Sequence, residues 1–154
     1  MNGLALVVDG NALLARSLDH LRSLLLLGTR LWVSWQFLKS GWLKLTTWDV
    51  TLELFRSEYQ VPLLPPGMAA VIGTFGELFF PVLLVLGLLT RVGALGLFAV
   101  NVLAVVSYWH VLGGEGFEAA LAQHVLWGFM LAVIAIFGGG ALSLDQLSAR
   151  GKQY

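Results

Sequence analysis

Residues 67–112 read GMAAVIGTFGELFFPVLLVLGLLTRVGALGLFAVNVLAVVSYWHVL, and Glu77 and Arg91 are the sole carboxylate and guanidinium in the stretch. An α-helix rises about 1.5 Å per residue, so crossing a hydrocarbon layer of about 30 Å takes about 20 apolar residues. The stretch is therefore long enough for two crossings, at about 67–89 and 92–112. Only Thr90 and Arg91 are left between them. A link that short forces an antiparallel hairpin.

Two further windows flank this hairpin, at about 23–45 and 118–138. Four such windows in one chain of 154 residues leave no soluble remainder to bury them. The sequence thus predicts an all-α, polytopic membrane protein. It forms an antiparallel four-transmembrane-helix bundle with short interfacial helices, a single domain over 1–154. Gly113, Gly114 and Gly116 break the chain between the third and fourth spans, and Gly138-Gly139-Gly140 ends the fourth.

Two amphipathic stretches are expected to lie at the interface. Ala12 to Leu26 puts Leu14, Leu18, Leu21 and Leu25 on one face and Arg16, Asp19 and Arg22 on the other, with Asn11 as N-cap. Asp9 and the lack of a basic leading region argue against a signal peptide. Trp48, Leu52, Phe55 and Tyr59 recur at helical spacing before Pro62, Pro65 and Pro66, which reads as a short helix and then an extended prolyl segment.

Composition agrees and narrows the function. The chain is 58% hydrophobic and only 12% charged, nine basic side chains balancing nine acidic ones. That excludes a soluble domain, a disordered tail and a cationic nucleic-acid binder, so no nucleic acid is expected as a partner. With no cysteine, thiolate metal sites, iron–sulfur clusters and thiol–disulfide relays are excluded as well. There is no phosphate-binding loop, dinucleotide fingerprint, serine elbow or HExxH. Basic residues set the expected orientation. Arg16, Arg22, Arg91, Arg150 and Lys152 fall on one side, against Lys39, Lys44 and Arg56 among five carboxylates on the other. Both termini are therefore expected in the cytoplasm, with Trp42, Trp48 and Trp109 anchoring the outer face.

The candidate site residues are the polar ones inside the spans, where an ionisable group costs at least ~2.5–3.5 kcal/mol and seeks a partner. Counting along the helices brings Arg30 and Glu77 within about 5 Å of one level, with Asn101 close to it. They are expected to form a buried pair capped by Asn101. One reading of that layer is a structural lock on helix register; the other is a polar floor beneath a quinone or small ligand, or a proton-carrying carboxylate. His110 and His124 form a second constellation, able to meet across a hairpin; ordinary interfacial packing is the reading they support best, a hydrogen bond to a quinone comes next, and haem or metal last. His20 is read as solvated. Lys39 and Lys44 are expected to snorkel to the outer surface, with Lys39 alternatively lining an outward-facing pocket.

The runs RLWVSWQFLKSGWLKL (Arg30–Leu45) and GTFGELFFPVLLVLGLLTR (Gly73–Arg91) resemble the DoxX family. The likeness rests on Arg30, Gly41 and Lys44 in the first helix, Pro62 before the second, Glu77 in mid-helix, and the exit Gly87, Leu88, Thr90 and Arg91. It runs from residue 23 to about 137; Phe79-Phe80-Pro81 departs from it, and the fourth helix matches only as an apolar span. The resemblance implies four helices in a bacterial inner membrane and a link to quinone-dependent redox complexes; the sequence itself carries no self-contained catalytic motif. Three functions follow: a membrane subunit or anchor feeding a redox partner protein, a non-enzymatic scaffold, or a small transporter, which would have to be a homo-oligomer. The lipid bilayer is a partner in all three; a quinone is the one cofactor the polar residues suggest.

Overall fold

The computed structural model describes residues 3–150. Lys152, one of the basic residues in the orientation argument, lies outside them, as do the side chains of Arg16, His20 and Arg150. The helices are α1 (Gly3–Thr46), α2 (Trp48–Ser57), α3 (Pro66–Leu86), α4 (Thr90–Ser107), α5 (Trp109–Leu112), α6 (Glu118–Phe137) and α7 (Leu144–Arg150), with no strand among the described residues. Three of them, α3, α4 and α6, are long and apolar enough to cross a membrane. At 21, 18 and 20 residues they measure about 27–32 Å. The expected first span forms the second half of α1, where Arg30, Gln36, Lys39 and Lys44 dilute its apolar character.

Helix boundaries differ from the expected ones in three places, each with a local cause. The amphipathic stretch Ala12–Leu26 is helical but runs without a break into the first span, making one helix of 44 residues. The α3–α4 turn is Gly87–Leu89, not Thr90-Arg91, which start α4. Gly87 closes α3 in the left-handed region at φ 68°, its amide bonding back to α3 while the Leu88 amide reaches the Leu83 carbonyl at 3.0 Å. A side chain there would collide with Arg30 and Ser143, so glycine is required twice over. The third span stops at Ser107 rather than residue 112. Tyr108 leaves helical geometry at φ −117° and ψ 19°, and the short α5 follows.

The bundle packs α1 on α3, α3 on α4 and α4 on α6. Val33, Phe37, Leu84, Ala94, Leu97, Leu131 and Ile134 form its core. Phe80 of α3 lies where a side chain at Gly96 of α4 would have to go, so that glycine allows the close approach. The outside carries Trp32, Phe75, Val125 and Phe129, each more than half exposed. An apolar surface around a core containing buried charge is inverted relative to a water-soluble protein and suits lipid.

After α6 the chain folds beneath the α3–α4 turn. The Asp145 carboxylate accepts hydrogen bonds from the Leu89 amide (2.8 Å), the Thr90 amide (2.8 Å) and the Thr90 hydroxyl (2.7 Å). These are the open donors at the start of α4, so Asp145 caps that helix from a distant part of the chain. The Asp145 amide in turn donates to the Gly87 carbonyl at 2.9 Å. Burial alone raises the Asp145 carboxyl, but the bonds from Thr90 and Leu89 and the charge of Arg30 outweigh it and hold the group below the ordinary aspartate range. A carboxyl more acidic when folded than unfolded adds stability above about pH 3.9 and loses it as pH falls through its lower folded value. Asp145→Ala is therefore expected to cost about 1 kcal/mol at pH 7, as loss of a helix cap does. Thermal melts in detergent from pH 7 down to about pH 3 check this: the gap between the native chain and the variant should close at the acid end.

Candidate functional site

The most buried carboxylate of the bundle is Glu77, 6% exposed in the middle of α3. Its partner is Lys44 of α1, whose Nζ lies 2.6 Å from Oε1 and 2.7 Å from Oε2 and also donates to the Ser40 hydroxyl at 2.9 Å. The helices meet so closely at Gly41 that a Cβ there would lie 2.9 Å from Leu78 Cγ and 3.0 Å from Glu77 Cβ. That approach, three residues before Lys44, turns the lysine stem toward α3 instead of toward water. Thr51 of α2 adds a bond from its hydroxyl to the Lys44 carbonyl at 2.9 Å.

The expected pairing of Arg30 with Glu77 is not what forms. In the antiparallel register of α1 and α3, Gly41 lies opposite Glu77 and Leu78, and Arg30 opposite Gly87. Arg30 and Lys44 are 14 residues apart, about 21 Å of helix. Arg30 is fully buried at the α3–α4 turn, where Nη2 donates to the Leu142 carbonyl at 2.8 Å and Asp145 balances its charge. Its Nε and Nη1 have no hydrogen-bond partner among the described residues. Arg30 and Glu77 lie at similar depths counted from the edge of each span, but register is set by the Gly41 contact and by the C-terminal segment that receives Arg30.

Asn101 does not cap that pair either. It joins α4 to α6: its Nδ2 donates to the His124 carbonyl at 2.9 Å, and its Oδ1 lies 2.8 Å from His124 Nδ1. Lys39 points outward with Nζ 6.0 Å from the Trp35 ring centroid, so Lys44, expected to snorkel, is the lysine that turns inward. His110 sits exposed on α5, edge-on to the Tyr108 ring at 5.5 Å, and does not join His124. Among the described residues no three of His, Asp and Glu gather closely enough to hold a metal ion.

Lys44, Glu77 and His124 instead converge on a cavity of about 350 Å³ between α1, α3, α4 and α6. Its wall is largely apolar, with Phe55, Ile72, Val100 and Leu103 among the lining residues, and Ser40, Tyr59, Ser107 and Tyr108 add hydroxyls. The chain from α2 through the prolyl segment covers one side. Two hydrogen bonds pin this strap to the end of α4, Gln60 amide to Ser107 carbonyl at 2.9 Å and Tyr108 hydroxyl to the Glu58 carboxylate at 3.0 Å. The Tyr59 ring meets Phe55 at 4.8 Å and Tyr108 at 5.1 Å, both edge-on. Burial pushes the Tyr59 hydroxyl up, and the charge of Glu77 pushes it further, so it stays protonated at neutral pH. Sequence reasoning missed Tyr59 and Tyr108. Tyr59 belonged to an aromatic stripe at helical spacing, which reads as packing, and Tyr108 fell inside a continuous apolar window.

A family model described as DoxX matches residues 25–110, more than half of the chain. The matched part holds Arg30, Lys44, Glu77, Asn101 and the strap, and ends before His124. Neither a curated protein nor a solved structure matches.

Removing one member of a buried ion pair leaves an uncompensated charge and costs about 3–5 kcal/mol, whereas replacing both with apolar groups is far milder. Glu77→Gln and Lys44→Met are each expected to lower yield and melting temperature by that order, and the Lys44→Met/Glu77→Leu double variant to recover most of the loss. Melts of all four proteins check it; a double variant as unstable as the two losses added would mean the charges are not coupled.

Proposed function

The chain belongs to the DoxX family, and from that premise we propose that it is the membrane subunit or anchor of a quinone-linked redox complex, holding the quinone ring in the cavity beneath the strap. The observation that carries this reading is the cavity itself. Its volume lies within the ~300–1,000 Å³ range of small-molecule sites, and such sites combine apolar walls with a few placed polar groups. The residues fit such a ring: Phe55, Ile72 and Leu103 supply its apolar bed, while the Tyr59 hydroxyl can donate to a ring oxygen and His124 adds a second polar group at the wall. A quinone carries two electrons and two protons when it is reduced. The sequence carries no redox motif and no cysteine, so on this reading a partner protein supplies the electrons.

The same reading makes the second half of α1 the fourth span. It also places the α3–α4 turn, with Arg22 and Arg91, on the cytoplasmic side of a bacterial inner membrane, both termini included. The strap, with Asp49, Glu53 and Glu58, then faces outward and covers the cavity from that side. A scaffold without ligand is the second reading, favoured by the Lys44–Glu77 pair, which is complete without any guest.

Mild-detergent purification followed by organic extraction and mass spectrometry tests the proposal. Roughly one isoprenoid quinone per chain is expected. Gly73→Leu should deplete it, because a side chain at Gly73 enters the cavity and meets only Phe55 Cζ, 3.5 Å from its Cβ. Protein without quinone that also fails to bind an added decyl-benzoquinone would leave the scaffold reading standing.

A further inference from the structure

We propose that the cavity selects the hydroxyl-bearing, hydroquinone form of its ligand, through an O–H hydrogen bond to His124 Nε2. The inference rests on the quinone-site reading above and adds the form that is bound.

It begins with the two-point contact between Asn101 and His124. The His124 carbonyl can only accept, so the Asn101 atom 2.9 Å from it must be the amide nitrogen. The other end of the same amide, 2.8 Å from Nδ1, is then the oxygen. An amide oxygen can only accept, so Nδ1 carries the ring proton. In a neutral imidazole the other nitrogen, Nε2, is then left with its lone pair. Asn101 is thus a positioning residue. It fixes the tautomer by binding backbone and ring together, and it lies on the far side of the ring from the group it prepares.

His124 lines the cavity, and Nε2 has no hydrogen-bond partner among the described residues. The remaining polar groups of the wall point to the same preference. Lys44 already directs its donors to Ser40 and to both oxygens of Glu77, so it is not open to a carbonyl. Each Glu77 oxygen keeps lone pairs beyond the Lys44 bond. The hydroxyls of Ser40, Tyr59 and Ser107 can serve in either role, and that of Tyr108 already donates to Glu58. Fixed acceptors therefore outnumber free fixed donors at this wall. A ligand that presents only carbonyl oxygens sets lone pair against lone pair at Nε2, while a phenolic hydroxyl satisfies it. An acceptor left unpaired once a guest has displaced water from it is costly, and that cost is the source of the discrimination.

The test is anaerobic calorimetric titration of the detergent-purified full chain with three probes of nearly equal size: decyl-benzohydroquinone, decyl-benzoquinone and the dimethyl ether of the hydroquinone. The hydroquinone is expected to bind about tenfold more tightly than the other two, as for one hydrogen bond to a buried group. His124→Phe keeps an aromatic ring but has no acceptor, and should bring the three affinities to within about twofold. Asn101→Leu releases the tautomer and should narrow the gap less. If those variants do not fold, the ether still decides the matter in the native chain, because it is reduced yet has no donor. Equal affinities, or tighter binding of the quinone, would overturn the selectivity and leave the quinone site intact. Binding of none of the three would remove the quinone site itself.

Discussion

The contact between α1 and α3 at Gly41, with the Lys44–Glu77 ion pair beside it, is the constraint from which the rest of the bundle follows. A carboxylate in the middle of an apolar helix has no water to turn to, and a single ammonium within reach settles which helix must lie against it. Once Gly41 sits opposite Glu77, the antiparallel register carries Arg30 to Gly87 at the other end of the pair. Arg30 then needs an acceptor that the spans themselves do not provide. The segment after α6 provides it, bringing the Leu142 carbonyl to the guanidinium and Asp145 to the start of α4. One pairing choice in mid-bundle thus determines how the chain must close at its end.

The architecture was legible in the sequence because it depends on length and apolar content, which are local. The hairpin of residues 67–112, the short helix at Trp48 and the end of α6 at Phe137 all follow from counting residues and reading glycine and proline. The pairing of charges was not legible, because it depends on which residues face each other across two helices. Both Arg30 and Lys44 lie on α1, and depth along the span favours Arg30 for Glu77. Lys44 stands close to the end of the expected span and reads as a snorkelling residue. What decided otherwise is a glycine three positions earlier, whose missing side chain lets α3 approach closely enough for the lysine to reach inward.

The candidate site shows the same division. His124, Glu77 and Lys44 could be singled out by residue type alone, since few polar groups occur in the spans. Tyr59 and Tyr108 could not. Tyr59 becomes a wall residue only because α2 and the prolyl segment fold back over the bundle, and Tyr108 only because α4 ends at Ser107, five residues sooner than its apolar run suggests. The early end frees the Ser107 carbonyl to receive the Gln60 amide and places the Tyr108 hydroxyl against Glu58. The helix break and the strap are two parts of one closure.

That closure bears on why the polar groups of the cavity are arranged as they are. Under the strap, with Phe55 and Tyr59 packed edge to face, the ion pair and the imidazole line a largely apolar cavity, where each polar contact counts for more than in bulk water. The ion pair needs no guest, since Lys44 and Glu77 neutralise one another. It can therefore hold the helices in register while the cavity is empty and still line it when filled. His124 is different: its outer nitrogen is left open by the same Asn101 contact that ties α4 to α6. On the proposed reading register falls to Lys44 and Glu77 and recognition to His124, so a substitution at one should be separable from a substitution at the other.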